Sequence, residues 1–230
     1  MIKNEGRRTI DHSDQLCKKK MSKIEEVKVL VESGKATLVG AVVKEALEAG
    51  SQPQEILDAM IESMGVVGEK FSAGKLFVPE MLMAAKAMNE GLEVIKPLLA
   101  SGASTAIGKA MVGTVKGDLH DIGKNLVVLM MRSVNIEVVD LGINVTAEQF
   151  VAGIKEHQPQ VVGLSALLTT TMNEQASVIK AIEEAGVRDQ VKVLIGGAPV
   201  TQGWAEKIGA DGFAADAAGA AAWSKAYLTK

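Results

Sequence analysis

The hydrophobic rhythm of this chain changes once, near residue 101, and that change constrains the fold more than any other feature. Before it, apolar residues recur at helical spacing; after it, they come as short runs separated by amphipathic stretches. The clearest helix has Val78, Met81, Ala85, Met88, Leu92, Ile95 and Leu99 stepping alternately by three and four. That is the seam of a helix packed in a bundle. Three more helices precede it. Ser22 suits an N-cap, with Glu25 as its capping-box partner and Ile24, Val27 and Val31 on one face. The second spans 36–49 and stops at Gly50. The third opens at Pro53, carries Ile56, Leu57, Met60, Met64 and Val67, and breaks at Ser72-Ala73-Gly74. Met60, Met64, Met81, Met83 and Met88 are expected as core filler.

Beyond the small-residue linker Ser101-Gly102-Ala103-Ser104, strands are expected at 107–115, 136–141, 161–165, 191–195 and 212–214. Helices are expected at 120–133, 146–157 and 171–185, near Trp204, and at the end up to Tyr227. Five strands alternating with five helices give a doubly wound parallel five-stranded sheet of the Rossmann-like, flavodoxin-like class. The expected organisation is a basic flexible tail over 1–20, a four-helix bundle over 21–102 and an α/β domain over 103–230. Ligands of such sheets sit beyond the carboxyl ends of the strands.

Composition removes several function classes. The apolar runs are broken well before about 18 residues, so no membrane span is expected. Residues 1–20 carry six Lys/Arg against three acids; the remaining 210 residues carry 19 basic and 25 acidic groups. A basic tail on an acidic body with seven aromatics in all is a poor nucleic-acid platform, and no nucleic-acid partner is expected. One cysteine, Cys17, excludes an internal disulfide framework and a Cys-only zinc site. With no apolar signal segment at the N-terminus, a cytoplasmic location is expected.

The candidate functional residues follow the strands. After the first strand the glycines Gly113, Gly117 and Gly123 miss the dinucleotide spacing, and no P-loop occurs anywhere. Instead the loop offers Asp118, His120 and Asp121. Of three histidines, His12 lies in the tail and His157 ends a helix, where solvated side chains are expected. His120 differs: Asp118 stands two residues before it, and a hydroxyl-rich loop, Ser165 to Thr171, follows the third strand. A metal-ligating histidine usually donates its other ring N–H to a carboxylate. One histidine without a second His or a Cys holds neither zinc nor copper alone. It can serve as the axial ligand of a metal already held by a macrocycle, which points to haem or a corrin.

At these residues the chain resembles a family. Residues 21–230 are similar to the corrinoid methyl-carrier proteins of methyltransferase systems serving methylamines, methanol, methoxylated aromatics or betaines, and to the cap and cobalamin modules of methionine synthase. Asp118-x-His120-x-x-Gly123 resembles the vitamin B12 motif of that superfamily, Ser165-x-Leu167 its second signature and Gly196-Gly197 its third. The resemblance implies a cobalamin or related corrinoid with His120 as the lower axial ligand of cobalt. Asp118 would accept a hydrogen bond from the far imidazole nitrogen, and Thr171 would complete that relay. Gly117, Leu119, Asp121, Ile122 and Gly123 would contact the cofactor from the first loop. Ser165, Leu167, Thr169 and Thr170 would do so from the second. Gly196, Gly197 and Ala198 would line the tail pocket, with Ala215 and Asp216 beyond them. A Cβ at Gly196 or Gly197 is expected to obstruct the nucleotide tail.

The helical half resembles the cap over the methyl face of cobalt, with Phe71 and Val78 at the two positions nearest the methyl group. Leu is usual at the second, so Val78 implies a looser cover. The implied role is a non-catalytic corrinoid subunit. It would shuttle a methyl group from a substrate-specific methyltransferase to a second methyltransferase acting on tetrahydrofolate or a thiol coenzyme, and a reductive activase would service it. Two alternatives share the motif: a B12-based sensor, which normally adds a basic winged helix, and an adenosylcobalamin mutase small subunit, which normally sits beside a substrate barrel. The resemblance leaves the methyl donor open.

Overall fold

The computed structural model describes residues 21–99 and 106–230. The expected tail, the small-residue linker and the boundary at 102/103 lie outside the described residues. Helix α1 (Lys23–Glu32) starts where the Ser22 hydroxyl accepts the Glu25 N–H at 3.2 Å. α2 is Ala36–Glu48 and α3 is Pro53–Ser72, with proline in its first turn, where no N–H is needed. The Glu55 carboxylate closes the α3 start by accepting the Gln52 N–H at 3.1 Å. α4 runs Val78–Ile95, and Glu80 does the same for Phe77 at 2.9 Å.

The seam expected to reach Leu99 ends at Ile95 because Pro97 cannot continue an α-helix; the chain tightens into a short 3₁₀ turn at Lys96–Leu98. α2 packs on α4 and α1 on α3. Met60, Met64, Met81 and Met88 fill this core, as expected. Met83 is half exposed instead, because it lies two positions past Met81 and so off the buried stripe.

The second half is one parallel sheet. Strands β1 (Gly108–Thr114), β2 (Ile136–Asp140), β3 (Val161–Ser165), β4 (Lys192–Gly196) and β5 (Gly212–Ala214) are ordered β2-β1-β3-β4-β5. Ala110 pairs with Val138 on one side and with Val161 on the other. Helices α5 (Ile122–Ser133), α6 (Ala147–His157), α7 (Asn173–Glu184), α8 (Gln202–Ile208) and α9 (Ala217–Leu228) complete the alternation. Phe150, Ile154, Ile179 and Ile182 cover one sheet face. On the other, Met130, Met131, Ala218 and Ala221 from α5 and α9 form a core continuous with the helical bundle. Gly68 of α3 makes this approach close: a Cβ there would stand 3.2 Å from that of Ala218.

Chain order reverses between β1 and β3, so the loops after these two strands face each other at the switch point. Two helices start later than the sequence suggests: α5 at Ile122, not 120, and α7 at Asn173, not 171. In both cases Asp118 takes the hydrogen bonds of the residues left outside the helix.

Asp211 holds the opposite end of the sheet. Its Oδ2 accepts from Arg188 Nη2 at 2.7 Å and from the Val193 N–H at 2.8 Å, and its Oδ1 accepts from Lys192 at 2.8 Å. Burial alone raises this carboxyl, but the bonds from Lys192, Val193 and Arg188 outweigh it and hold it below the usual carboxylate range. A folded pKa below the unfolded one contributes stability that is complete above the ordinary carboxylate range and is lost as pH falls through it. Asp211→Asn should therefore cost on the order of 2 kcal/mol at neutral pH in urea unfolding. The gap to wild type should narrow as pH falls below the ordinary carboxylate range, as the folded carboxylate takes up its proton. An equal deficit at neutral and at acid pH would disprove the ionic account.

Candidate functional site

Asp118 organises the loop after β1. Its side chain is fully buried and accepts four hydrogen bonds. Oδ1 takes His120 Nδ1 at 2.7 Å and the His120 backbone N–H at 3.1 Å. Oδ2 takes the Leu167 N–H and the Thr171 hydroxyl, both at 2.7 Å. Burial by itself would raise this carboxyl; the hydrogen bonds from Thr171, His120 and Leu167 more than reverse that and hold it far below the usual range. An ionised carboxylate only accepts. The proton of the neutral imidazole therefore sits on Nδ1, and Nε2 carries a lone pair. Thr114 ends β1 and donates from its buried hydroxyl to the His120 carbonyl at 2.9 Å, which fixes the backbone beneath the ring.

The His120 side chain is 51% exposed and borders a cavity of about 600 Å³. The cavity runs along the sheet beneath α5 and α9, past Val112, Gly163, Leu194, Ala214, Ala217 and Ala220. Its mouth includes Leu119, Asp121, Ile122 and Gly123 from the first loop. Ser165 and Leu167, Gly196 to Ala198, and Ala215 and Asp216 border it from the other loops, and Phe71 borders it from the helical half. Leu119 and Ile122 are 67% and 78% exposed, a large apolar area left open beside the imidazole.

Other expected site residues stand elsewhere. Asp118 and Thr171 are buried behind His120, and Gly117 lies in its loop without lining the cavity. Thr169 and Thr170 are exposed on the β3–α7 connection, away from the cavity wall. Val78 is half-buried at the start of α4 and is not part of the lining. Gly197 lines the cavity and has a requirement of its own beside the expected one. Its φ is 129°, and a Cβ would fall 1.8 Å from the Ala166 carbonyl oxygen. The protein's own β3 end thus already requires glycine at this position of the cavity wall.

Several residues of the site escape sequence reasoning. Lys124 is 3% exposed and lines the cavity, its Nζ held by both Asp140 oxygens at 2.6 and 2.5 Å and by Asn125 Oδ1 at 2.7 Å. A lysine in the first turn of a helix, where the dipole disfavours cations, was the available signal. Gln175, fully buried, ties the ends of β3 and β4 by donating to the Leu164 and Gly196 carbonyls at 3.0 and 3.1 Å. Ser72, at the end of α3, donates to Asp216 Oδ1 at 3.1 Å and fastens the helical half beside Phe71.

Among the described residues no group of three or more His, Cys, Asp or Glu could hold a metal ion. At this site the described residues place one exposed ring nitrogen, Nε2 of His120, beside an apolar cavity large enough for an organic group. That suits a metal arriving inside its own equatorial ring with a tail to bury, as in a corrinoid.

Comparison with known proteins agrees. A B12 binding domain model matches residues 108–222, and a second B12 binding domain model matches residues 23–96. The chain is 47% identical over 194 residues to the trimethylamine corrinoid protein of Methanosarcina barkeri, covering 83% of this chain and 89% of that one. It is 44% identical over 207 residues to the dimethylamine corrinoid protein of the same organism, covering 89% and 97%. Among solved structures it resembles a cobalamin-binding protein from Desulfitobacterium hafniense, at TM-score 0.78 and 30% identity over 89% of this chain and 98% of that one. It also resembles a chain of the methanol:cobalamin methyltransferase complex of M. barkeri, at TM-score 0.77 and 31% identity over 91% and 81%. A parallel sheet with His120 and Asp118 at its switch point, covered by a four-helix bundle, thus belongs to the family of B12-binding corrinoid proteins that carry methyl groups in methyltransferase systems.

Proposed function

We propose that this carrier serves a methylamine methyltransferase, holds the cobalt of its corrinoid through Nε2 of His120, and passes the methyl group to a second methyltransferase acting on tetrahydrofolate or a thiol coenzyme. The observation that carries the ligand assignment is the 2.7 Å bond between His120 Nδ1 and the buried Asp118 carboxylate. The methylamine assignment rests on the trimethylamine and dimethylamine corrinoid proteins to which the chain is 47% and 44% identical. The same relatives favour a carrier over a sensor or a mutase subunit.

When bound, the corrinoid supplies methyl transfer at cobalt. The chain's residues do the rest. Asp118 fixes the tautomer and aim of His120, and Thr171 fixes Asp118. Leu119 and Ile122 offer exposed apolar surface beside His120 that would exclude water from a bound corrinoid. Phe71, held near the mouth by the Ser72–Asp216 bond, covers the site from the helical side. A partner enzyme must displace that cover to reach the methyl group, so the helical half has to adopt a second arrangement. A reductive activase is the third proposed partner.

The test is a turnover screen of the corrinoid-loaded protein with methylamine methyltransferases and with a methanol methyltransferase, each supplied separately. Methylation of the bound corrinoid should occur from trimethylamine, dimethylamine or monomethylamine. Methylation from methanol and from none of the amines would overturn the donor class. The cover has its own readout. With methylcobalamin bound, Phe71→Ala should lose the methyl group in light several-fold faster than wild type, because a departing methyl radical is no longer held for recombination. Identical photolysis rates would show that Phe71 does not cover the methyl face.

A further inference from the structure

The His120 loop is gripped from outside the cavity by the loop that follows β2. Asn144 sits there in left-handed backbone, at φ 53°. Its side-chain Oδ1 accepts the Gly117 N–H at 2.7 Å, and its own backbone N–H donates to the Asp118 carbonyl at 3.1 Å. The two bonds seize consecutive residues of a tight turn that the Asp118 N–H closes onto the Val115 carbonyl at 3.1 Å. Gly117 is itself left-handed, at φ 78°, a conformation that glycine adopts freely, so the turn takes its rigidity from the bonds that hold it. The next residue anchors the support: the Val145 N–H donates to the Thr114 carbonyl at 2.9 Å. Asn144 is exposed and does not line the cavity.

We propose that Asn144 is a positioning residue for the axial histidine, acting through Gly117 and Asp118. The Asp118 side chain aims the imidazole, and the Asp118 backbone is where Asn144 holds it. Two bonds to the Asp118 carboxylate fix His120 relative to Asp118, and two more tie that carboxylate to Leu167 and Thr171. The Asn144 carboxamide holds Gly117, the residue before Asp118, and through it the backbone that carries Asp118. Loosening that grip lets the whole Asp118–His120 unit drift, so the nitrogen binds cobalt less tightly although nothing touching the cofactor has changed. The proposal rests on His120 being the cobalt ligand.

Two substitutions separate the side chain from the backbone. Asn144→Gly tolerates the left-handed conformation and removes only the carboxamide. Asn144→Asp tolerates it too and keeps an oxygen acceptor. Each full-length protein is loaded with cob(II)alamin, and the Co(II)/Co(I) midpoint and the nitrogen splitting of the Co(II) EPR spectrum are measured. Co(I), a d⁸ ion, prefers four coordination, so the axial nitrogen stabilises Co(II) against reduction. Loss of one hydrogen bond should weaken the axial interaction about five-fold in Asn144→Gly. That raises the midpoint by about 40 mV for a one-electron couple. Asn144→Asp should stay near wild type, and the apoproteins should melt within a few degrees of one another.

An unchanged midpoint in Asn144→Gly, or an equal shift in Asn144→Asp, would overturn the proposal. Failure of the ligand assignment looks different: wild type itself would lack the nitrogen splitting, or His120→Ala would retain it.

Discussion

His120→Ala should keep its fold and still take up cobalamin, but the bound cofactor should show no axial nitrogen. The imidazole is half exposed and its side chain bonds to Asp118 from the edge of the cavity, so its removal leaves the core intact. The backbone N–H of residue 120 would still donate to Asp118 Oδ1, and the bonds from Leu167 and Thr171 to Oδ2 would remain. No buried charge is stranded, and Tm should move by only a few degrees. The 600 Å³ cavity and its loops also survive, so the organic tail keeps its place. What is lost is the nitrogen proposed as the axial ligand. Loss of partners one step removed from a metal already costs 10–100-fold in affinity, so deleting the ligand should weaken cobalamin binding by at least about 10-fold. The decisive readout is the nitrogen splitting in the Co(II) EPR spectrum. If the variant still shows it, another residue is the ligand and the site must be reassigned.

Much of this was legible in the chain for identifiable reasons. Helix and strand order follow from a change in apolar period, which survives any error in individual boundaries. The pairing of Asp118 with His120 could be read because a liganding histidine needs an acceptor, while Thr171 came from the resemblance to the relay of methionine synthase. Legibility fails where burial contradicts residue type. Lys124 reads as a solvated helix residue, and only the register that sets Asp140 at the end of β2 reveals it as a buried ion pair. Gln175 reads as surface amide, yet it cross-links two strand ends from within the core. Pro97 stood in plain view and still lost to the longer apolar seam, although a proline inside a helix outweighs one more apolar position. Phe71 borders the cavity and Val78 does not, a distinction that lies in the turn between α3 and α4, beyond the reach of periodicity.

Two glycines of the site should respond in opposite ways to gaining a methyl group. Gly197→Ala should destabilise the apoprotein by at least about 3 kcal/mol. At φ 129° an L-residue is strained, and its Cβ would lie 1.8 Å from the Ala166 oxygen, a backbone atom that cannot rotate aside. Relief requires parting the β3 and β4 ends, which the Ala166 N–H to Gly196 carbonyl bond at 3.1 Å and the Gln175 side chain hold together. Gly123 is the counter-case. It lies in the first turn of α5, lines the cavity, and a Cβ there meets no atom within 4 Å. Gly123→Ala should leave stability equal or raise it by a few tenths of a kcal/mol, because alanine is the better helix former. Its cost should appear only in cobalamin affinity, since the added methyl takes space beside the cofactor. Urea unfolding of both apoproteins, followed by cobalamin titration, separates the two effects. A Gly197→Ala loss below about 1 kcal/mol would mean that the strand ends yield readily, and the glycine's role would revert to ligand clearance. A stability loss in Gly123→Ala with unchanged affinity would reverse the assignment of the other glycine.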